Sequence, residues 1–166
     1  LVLLTGCSGS DDNTSSGGVT GEPLSTAEVA TLTYMREEEK LARDVYLTLH
    51  ERWQMDIFST IASSEQRHMD TMASMLSRYG VPDPVSSDAV GSFNNPSLAA
   101  LHDRLVAQGR SSRDAAIEVG IFIETTDITD LQRAIDESTH ADLDQAYQNL
   151  LSGSYNHLAA FTALQP

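Results

Sequence analysis

From Leu24 onward the apolar residues recur at spacings of three and four, the pattern of helices that bury one face. Ser25-Thr26-Ala27-Glu28 is a capping box and opens a helical pattern that runs to about residue 53. Asp56 is placed to cap a second helix, which runs to Tyr79 and stops at Gly80-Val81-Pro82. Pro82, Pro84, Gly91 and Asn94-Asn95-Pro96 mark a long connection; a short helix over about 97–108, ended by Gly109, lies inside it. Ser111 with Asp114 opens a third long helix to about residue 137, and Thr139 with Asp142 caps a fourth to about residue 164. No segment alternates apolar and polar residues over the length of a strand. The expected fold is all-α: a four-helix bundle over 24–166, with a long crossover containing a short helix between helices 2 and 3.

A helical wheel puts polar residues where the core should be. In the second helix Phe58, Ile61, Met69, Met72, Leu76 and Tyr79 form one stripe, with Glu65 at its centre and His68 one turn along. In the first, Leu32, Met35, Ala42, Tyr46 and Trp53 share a face with Glu39, while Glu37 and Glu38 point elsewhere, Glu38 towards the edge. In the third, Glu124 lies inside the stripe of Ile117, Ile128, Leu131 and Ile135, flanked by Asp127 and Glu118. In the fourth, Leu143, Ala146, Leu150, Ala160, Phe161 and Leu164 surround His157. A carboxylate buried without a partner costs several kcal/mol. Divalent metal ions compensate that cost, and carboxylate with imidazole suits iron, manganese and zinc. Glu65 and His68, at i and i+3, project together and can hold one ion; Glu39 and Glu124 can approach from facing helices, and His157 can add a second imidazole.

Each piece read singly has a structural explanation. A histidine on an apolar face is commonly a hydrogen-bonded core residue, and Glu37-Glu38-Glu39 can be a solvated face supported by Glu39 with Arg43. Tyr46 and Tyr147 read as core packing or as hydrogen-bond donors to the acids, and Met69, Met72 and Met75 read as pliable core. His50 reads as structural, and His102 and His140 as surface residues. It is the conjunction of one inward set on each of four helices that points to metal.

Composition narrows the chemistry. The chain has 166 residues, enough for one domain with a real core. Its 24 Asp and Glu against 10 Lys and Arg give a formal charge of -14, which excludes nucleic acid and electrostatic docking on anionic lipid. One Cys excludes an intramolecular disulfide, a zinc ribbon and a Cys-ligated iron–sulfur cluster. That Cys has another reading. Residues 1–6 are apolar and then small, like the end of a signal-peptide core, and Leu4-Thr5-Gly6-Cys7 resembles the bacterial lipobox, in which the Cys is lipidated. Residues 7–23 then form a lipidated Cys7 and a flexible tether rich in Ser, Gly, Thr, Asp and Asn. The expected location is the bacterial cell envelope, periplasmic or outer face, with membrane contact through the lipid anchor alone.

Taken together, Glu38-Glu39-Lys40-Leu41-Ala42-Arg43-Asp44-Val45-Tyr46, Ser64-Glu65-Gln66-Arg67-His68-Met69-Asp70, Tyr79-Gly80-Val81-Pro82-Asp83-Pro84 and Gly153-Ser154-Tyr155-Asn156-His157-Leu158 resemble an uncharacterised prokaryotic ferritin-like family. More broadly, they resemble the rubrerythrin-like members of the ferritin-like superfamily of carboxylate-bridged di-metal proteins. The resemblance covers about 24–164. It implies that Glu39 is a terminal ligand of one ion, that Glu65 bridges, and that His68 binds the first ion. It implies that Glu124 is the terminal ligand of the second ion and His157 its imidazole. The pattern departs at Ser154, which stands where the superfamily has a second bridging Glu. Either Asp127 or, less easily, Glu118 replaces it, or the site holds a tight and a loose ion, or one ion. The rubredoxin part of rubrerythrin is absent. The resemblance implies iron, two ions if the protein is active, with manganese or zinc as alternatives. It also implies a di-metal oxidoreductase acting on peroxide or oxygen. A non-catalytic metal-handling lipoprotein and a metal-free structural bundle stay open, and a homodimer is compatible with the sequence.

Overall fold

The computed structural model describes residues 22–165. The signal-peptide end, Cys7 and nearly all of the tether lie outside the described residues. Five helices follow one another: α1 (Thr26–Trp53), α2 (Asp56–Arg78), α3 (Pro96–Gly109), α4 (Arg113–Glu137) and α5 (Ala141–Thr162). There is no strand among the described residues. None of the described helices is long and apolar enough to cross a membrane.

The helix starts follow local chemistry, with three departures from the sequence reading. Ser25 and Glu28 form the expected capping box, the Ser25 hydroxyl accepting from Glu28 N and the Glu28 carboxylate accepting from Ser25 N. Asp56 does not cap α2. It is the first helical residue, behind Met55, which makes no side-chain cap bond. Ser112, not Ser111, caps α4, accepting from Ala115 N at 3.0 Å; the Ser111 hydroxyl instead donates to Gln108 O and finishes α3. Thr139 does not cap α5. Its N–H and hydroxyl donate to Glu28 of α1, at 2.9 and 3.2 Å, so a tertiary contact takes the group that a local cap would have used. At the other end of α1, Gln54 adopts φ 52° and its side-chain amide donates to the carbonyls of His50 and Glu51. That left-handed residue closes the last turn and lets α2 return along α1.

The packing forms a ring. α1 lies against α2, α2 against α5, α5 against α4 and α4 against α1, while α3 packs between α1 and α4. Two apolar layers fill the interior. One contains Val45, Tyr46, Phe58, Val119 and Phe161, and the other Leu32, Met72, Leu76, Leu131, Tyr147 and Leu150. On each of α1, α2, α4 and α5 the polar residues picked from the sequence fall between the two layers.

α1 is buried far beyond one stripe. Residues 35–46 are all buried, because the connection between α2 and α3 lies across its outer side. The charges of α1 hold that connection down. Arg36 pairs with Asp83 at 3.0 Å and Arg43 with Asp88 at 2.6 Å. The Glu37 carboxylate accepts from the N–H groups of Asn94 and Asn95. Lys40, fully buried, donates to Asp44 at 2.5 Å and to Ala89 O at 2.8 Å and lies over the Phe93 ring. Asp44 accepts from Gly91 N, a residue at φ +79° whose missing Cβ leaves room for His102. So Glu37, Glu38 and Glu39 are not a solvated face, and Arg43 pairs with Asp44 and Asp88 rather than Glu39. His102 is buried against Phe93, not on the surface.

Glu28 ties the start of α1 to the connection between α4 and α5. Besides the cap, it accepts from Thr139 and His140, the latter at 2.8 Å. Burial opposes its ionisation, but the bonds from Thr139, His140 and Ser25 outweigh burial and hold the carboxyl well below its ordinary 4.5. A carboxyl depressed in the folded state stabilises fully above its unfolded value and loses that contribution as pH falls. Glu28→Gln is therefore expected to lower unfolding free energy by about 1–3 kcal/mol at pH 7. The gap to the unmodified protein should narrow progressively as pH falls below about 4.5. Urea titrations across that range check both; an equal urea midpoint for the two proteins at pH 7 would remove this clamp from the account.

Candidate metal centre

Between the two apolar layers, four helices each contribute at least one buried ionisable group to one point. Glu39 comes from α1, Glu65 and His68 from α2, Glu124 from α4 and His157 from α5. They form two groups, Glu39–Glu65–His68 and Glu65–Glu124–His157, in each of which the donor atoms lie within 4.8 Å of one another. Glu65 belongs to both and divides its oxygens between them. Oε2 is 2.8 Å from His68 Nδ1, and Oε1 is 2.8 Å from His157 Nδ1. Glu39 Oε2 lies 3.2 Å from His68 Nδ1, and Glu124 Oε2 lies 3.4 Å from His157 Nδ1. The imidazoles stack at 5.6 Å between centroids.

The close contacts are not all hydrogen bonds. Glu65 Oε1 and His157 Nδ1 are 2.8 Å apart, yet both lack a hydrogen-bond partner, as does Glu39 Oε1. The two atoms are near but out of line, which is the arrangement of lone pairs directed at a common third centre rather than at each other. Buried polar atoms are paired in the great majority of cases. Three unpaired donor atoms in one cluster, all oxygen or imidazole nitrogen, fit a divalent ion of the iron, manganese or zinc kind.

The electrostatics agree with that fit. Burial pushes Glu39 up to about 8, against the pull of His68. Burial and then the charge of Glu65 push Glu124 up to about 7. Burial would raise Glu65 too, but His157 and His68 outweigh it and hold its carboxyl at about 2. Burial would depress His68, but Glu39 and Glu65 lift it to about 11; in the same way Glu124 and Glu65 lift His157 to about 9. Without metal, protons compensate the charges. Glu39 and Glu124, raised in the folded state, stabilise fully below their unfolded 4.5 and lose that contribution as pH rises through about 7 to 8. A bound cation would displace those protons.

Neighbours set the orientation of the donors. Tyr46 donates from its hydroxyl to Glu124 Oε1 at 2.6 Å, which leaves Oε2 towards His157. Its ring packs on Phe58 and Phe161, so it both fills core and orients Glu124. Asp127 is buried beside the centre but belongs to neither donor group. Its Oδ2 accepts from Ser154 at 2.5 Å, and burial with the charges of Glu39 and Glu124 pushes it well above the usual range. Glu118 is exposed and takes no part. Glu38, placed at the edge by the wheel, is buried and shares a cavity with Glu39, Glu65, Glu124 and Asp127. That cavity offers about 10 Å³ to a water's centre, room for roughly one water.

Residues 28–164 match the uncharacterized protein domain DUF2202. The chain belongs to this family. It is similar to uncharacterized protein MJ0754 of Methanocaldococcus jannaschii, with 46% identity over 143 residues, 86% of this chain and 77% of that protein. The crystal structure of hypothetical protein MJ0754 from Methanococcus jannaschii superposes with a TM-score of 0.84 at 47% identity, covering 85% of this chain and 81% of that one. A DUF305 fragment from Deinococcus radiodurans superposes with a TM-score of 0.70 at 16% identity, over 86% of this chain and 97% of that one, a likeness of fold alone.

In this DUF2202 domain the helix wheel misses three contributors. Glu38 lies one position off the stripe, and the packing of α1 against α4, whose Asp127 and Asp130 lie beside it, buries it. Ser154 is the partner of Asp127. Gly153 is the third: a Cβ there would come within 2.6 Å of His68 Nε2 and 2.8 Å of its Cε1. The signal for Gly153 was a mid-helix glycine, which costs about 1 kcal/mol against Ala and calls for a packing reason. Gly153→Ala is expected to keep the helical circular dichroism, displace the His68 ring and weaken divalent-metal binding by about 10–100-fold, the range seen when groups that orient ligands are lost. Unchanged affinity by isothermal titration would show that the ring has space the geometry denies it.

Proposed function

We propose that this protein is a ferritin-like, metal-binding four-helix bundle, with α3 in its crossover, that holds two divalent ions in its core. Iron is the first choice and manganese or zinc the alternatives. Glu39, Glu65 and His68 take one ion, Glu124, Glu65 and His157 the other. The observation that carries this reading is the division of Glu65 between the imidazoles, one carboxylate oxygen to each. The ring of packed helices and the likeness to the sequence motifs of ferritin-like proteins support the same assignment.

Two iron or manganese ions held this way would supply single electrons and Lewis acidity at an O–O bond, which suits peroxide or oxygen as substrate. The chain's own groups set the conditions. Tyr46 fixes Glu124 through Oε1. In the metal-free chain Glu39 and Glu124, raised by burial to about 8 and about 7, hold the protons that an incoming ion displaces. Leu41, Leu101, Leu105 and Ile123 give the cavity an apolar wall beside its carboxylates.

A second reading, metal handling without catalysis, is favoured by the Ser154–Asp127 bond. The hydroxyl occupies the place where the superfamily pattern puts a bridging carboxylate, and it engages the nearest acid. The proposed location is the cell envelope, with Cys7 as the lipid attachment point; Leu4-Thr5-Gly6-Cys7 supports it.

Anaerobic dialysis against Fe(II) followed by elemental analysis is expected to give two ions per chain, and Glu65→Gln to lose at least one. A metal-free chain at saturating Fe(II) refutes the centre. Two ions with no oxidation by peroxide or oxygen leave the handling reading. Because binding displaces protons, the rise in melting temperature on adding Mn(II) is expected to be larger at pH 8 than at pH 6. A rise that is equal at both values would mean the metal binds elsewhere.

A further inference from the structure

We propose that Glu38 and Asp127 form a third cation position beside the dinuclear centre, through which a divalent ion passes on its way to Glu39 and Glu65. The inference rests on the dinuclear reading above. Glu38 is 5% exposed and Asp127 6%. Each uses one oxygen on a neighbour: Asp127 Oδ2 accepts from Ser154, and the Tyr34 hydroxyl approaches Glu38 Oε1 at 3.5 Å. In each the other oxygen, Glu38 Oε2 and Asp127 Oδ1, is buried without a partner. Both side chains line the cavity that also reaches Glu39, Glu65 and Glu124. Neither belongs to the two donor groups already assigned.

An unsatisfied buried acceptor costs about 1–3 kcal/mol, so two in one cavity call for a shared partner. Two carboxylate oxygens with water complete a hard-cation position, and such positions favour small divalent ions that keep part of their hydration. Asp130, three residues beyond Asp127 on α4 and paired with Arg133, brings a further carboxylate close to Glu38 on the outer side. The acids thus run inward as Asp130, Glu38, Asp127 and then the centre. The cavity has room for about one water's centre, so an ion is handed between carboxylates rather than arriving fully hydrated. The third position is therefore one of transit, weaker than the two that share Glu65.

Crystals of the full chain soaked in Mn(II) should show three anomalous peaks: two among the five donors and a weaker one between Glu38 and Asp127. In stopped-flow Co(II) binding, Glu38→Gln and Asp127→Asn should reach the same two-ion end point as the unmodified protein but about tenfold more slowly, the loss expected when charges that draw in an ion are removed. Loading at the unmodified rate in both variants, or only a water between the two carboxylates, overturns the proposal while leaving the dinuclear centre intact. If either variant fails to fold, the third peak in the unmodified protein decides. Failure of the unmodified protein to bind any Mn(II) or Co(II) overturns the dinuclear reading, and this inference with it.

Discussion

Everything in the interior is arranged around one carboxylate. Glu65 is almost wholly buried, keeps its charge, and sits between two imidazoles from different helices. A charge in that position needs partners on both oxygens, so α2 and α5 must stand at a fixed separation and rotation. Glu39 and Glu124 then face the same imidazoles from α1 and α4, and their own carboxyls, disfavoured by burial, are pushed towards neutrality. The apolar layers above and below supply the stability that such a belt cannot supply for itself. They also keep the dielectric low, which strengthens each interaction within it.

A second constraint follows from the first. α1 carries Glu39 inward, and its remaining faces carry Arg36, Glu37, Lys40, Arg43 and Asp44. These residues do not meet solvent; they meet the connection between α2 and α3. Their partners there are backbone N–H groups, a carbonyl and two aspartates. The long link is thus fastened to the helix that bears Glu39, and it closes the side of α1 that the ring leaves open. Lys40 shows the cost and its compensation: a fully buried ammonium is held by a carboxylate, a carbonyl and an aromatic face.

Much of this was legible in the residues. The three-and-four periodicity gave all five helices with ends within a few residues, since amphipathic repeats report a buried face directly. Glu39, Glu65, His68, Glu124 and His157 stood out because an ionisable group inside an apolar stripe has few bland explanations. The caps were less legible. Thr139 and Asp56 both have side chains suited to capping, yet Thr139 serves Glu28 across the fold and Asp56 begins the helix it was expected to cap. Glu37 and Glu38 read from the wheel as pointing away from the stripe, Glu38 towards its edge, yet both are buried, Glu37 under the connection and Glu38 against α4. A wheel reads one helix at a time and cannot see that a loop forty or more residues away, or a neighbouring helix, will cover another face.

The sequence by itself determined the helices, the acidic and cysteine-poor composition that leaves oxygen and imidazole as the available donor groups, and which five residues turn inward. Those are local properties, set by spacing along one chain segment. Only the tertiary structure decided which imidazole each Glu65 oxygen meets, that Asp127 is held by Ser154, that Gly153 makes room for the His68 ring, and that Glu38 joins the cavity. Each of these depends on where a side chain of one helix falls against another to within an ångström or so. That register is fixed by the close packing of both apolar layers at once, and no single helix encodes it.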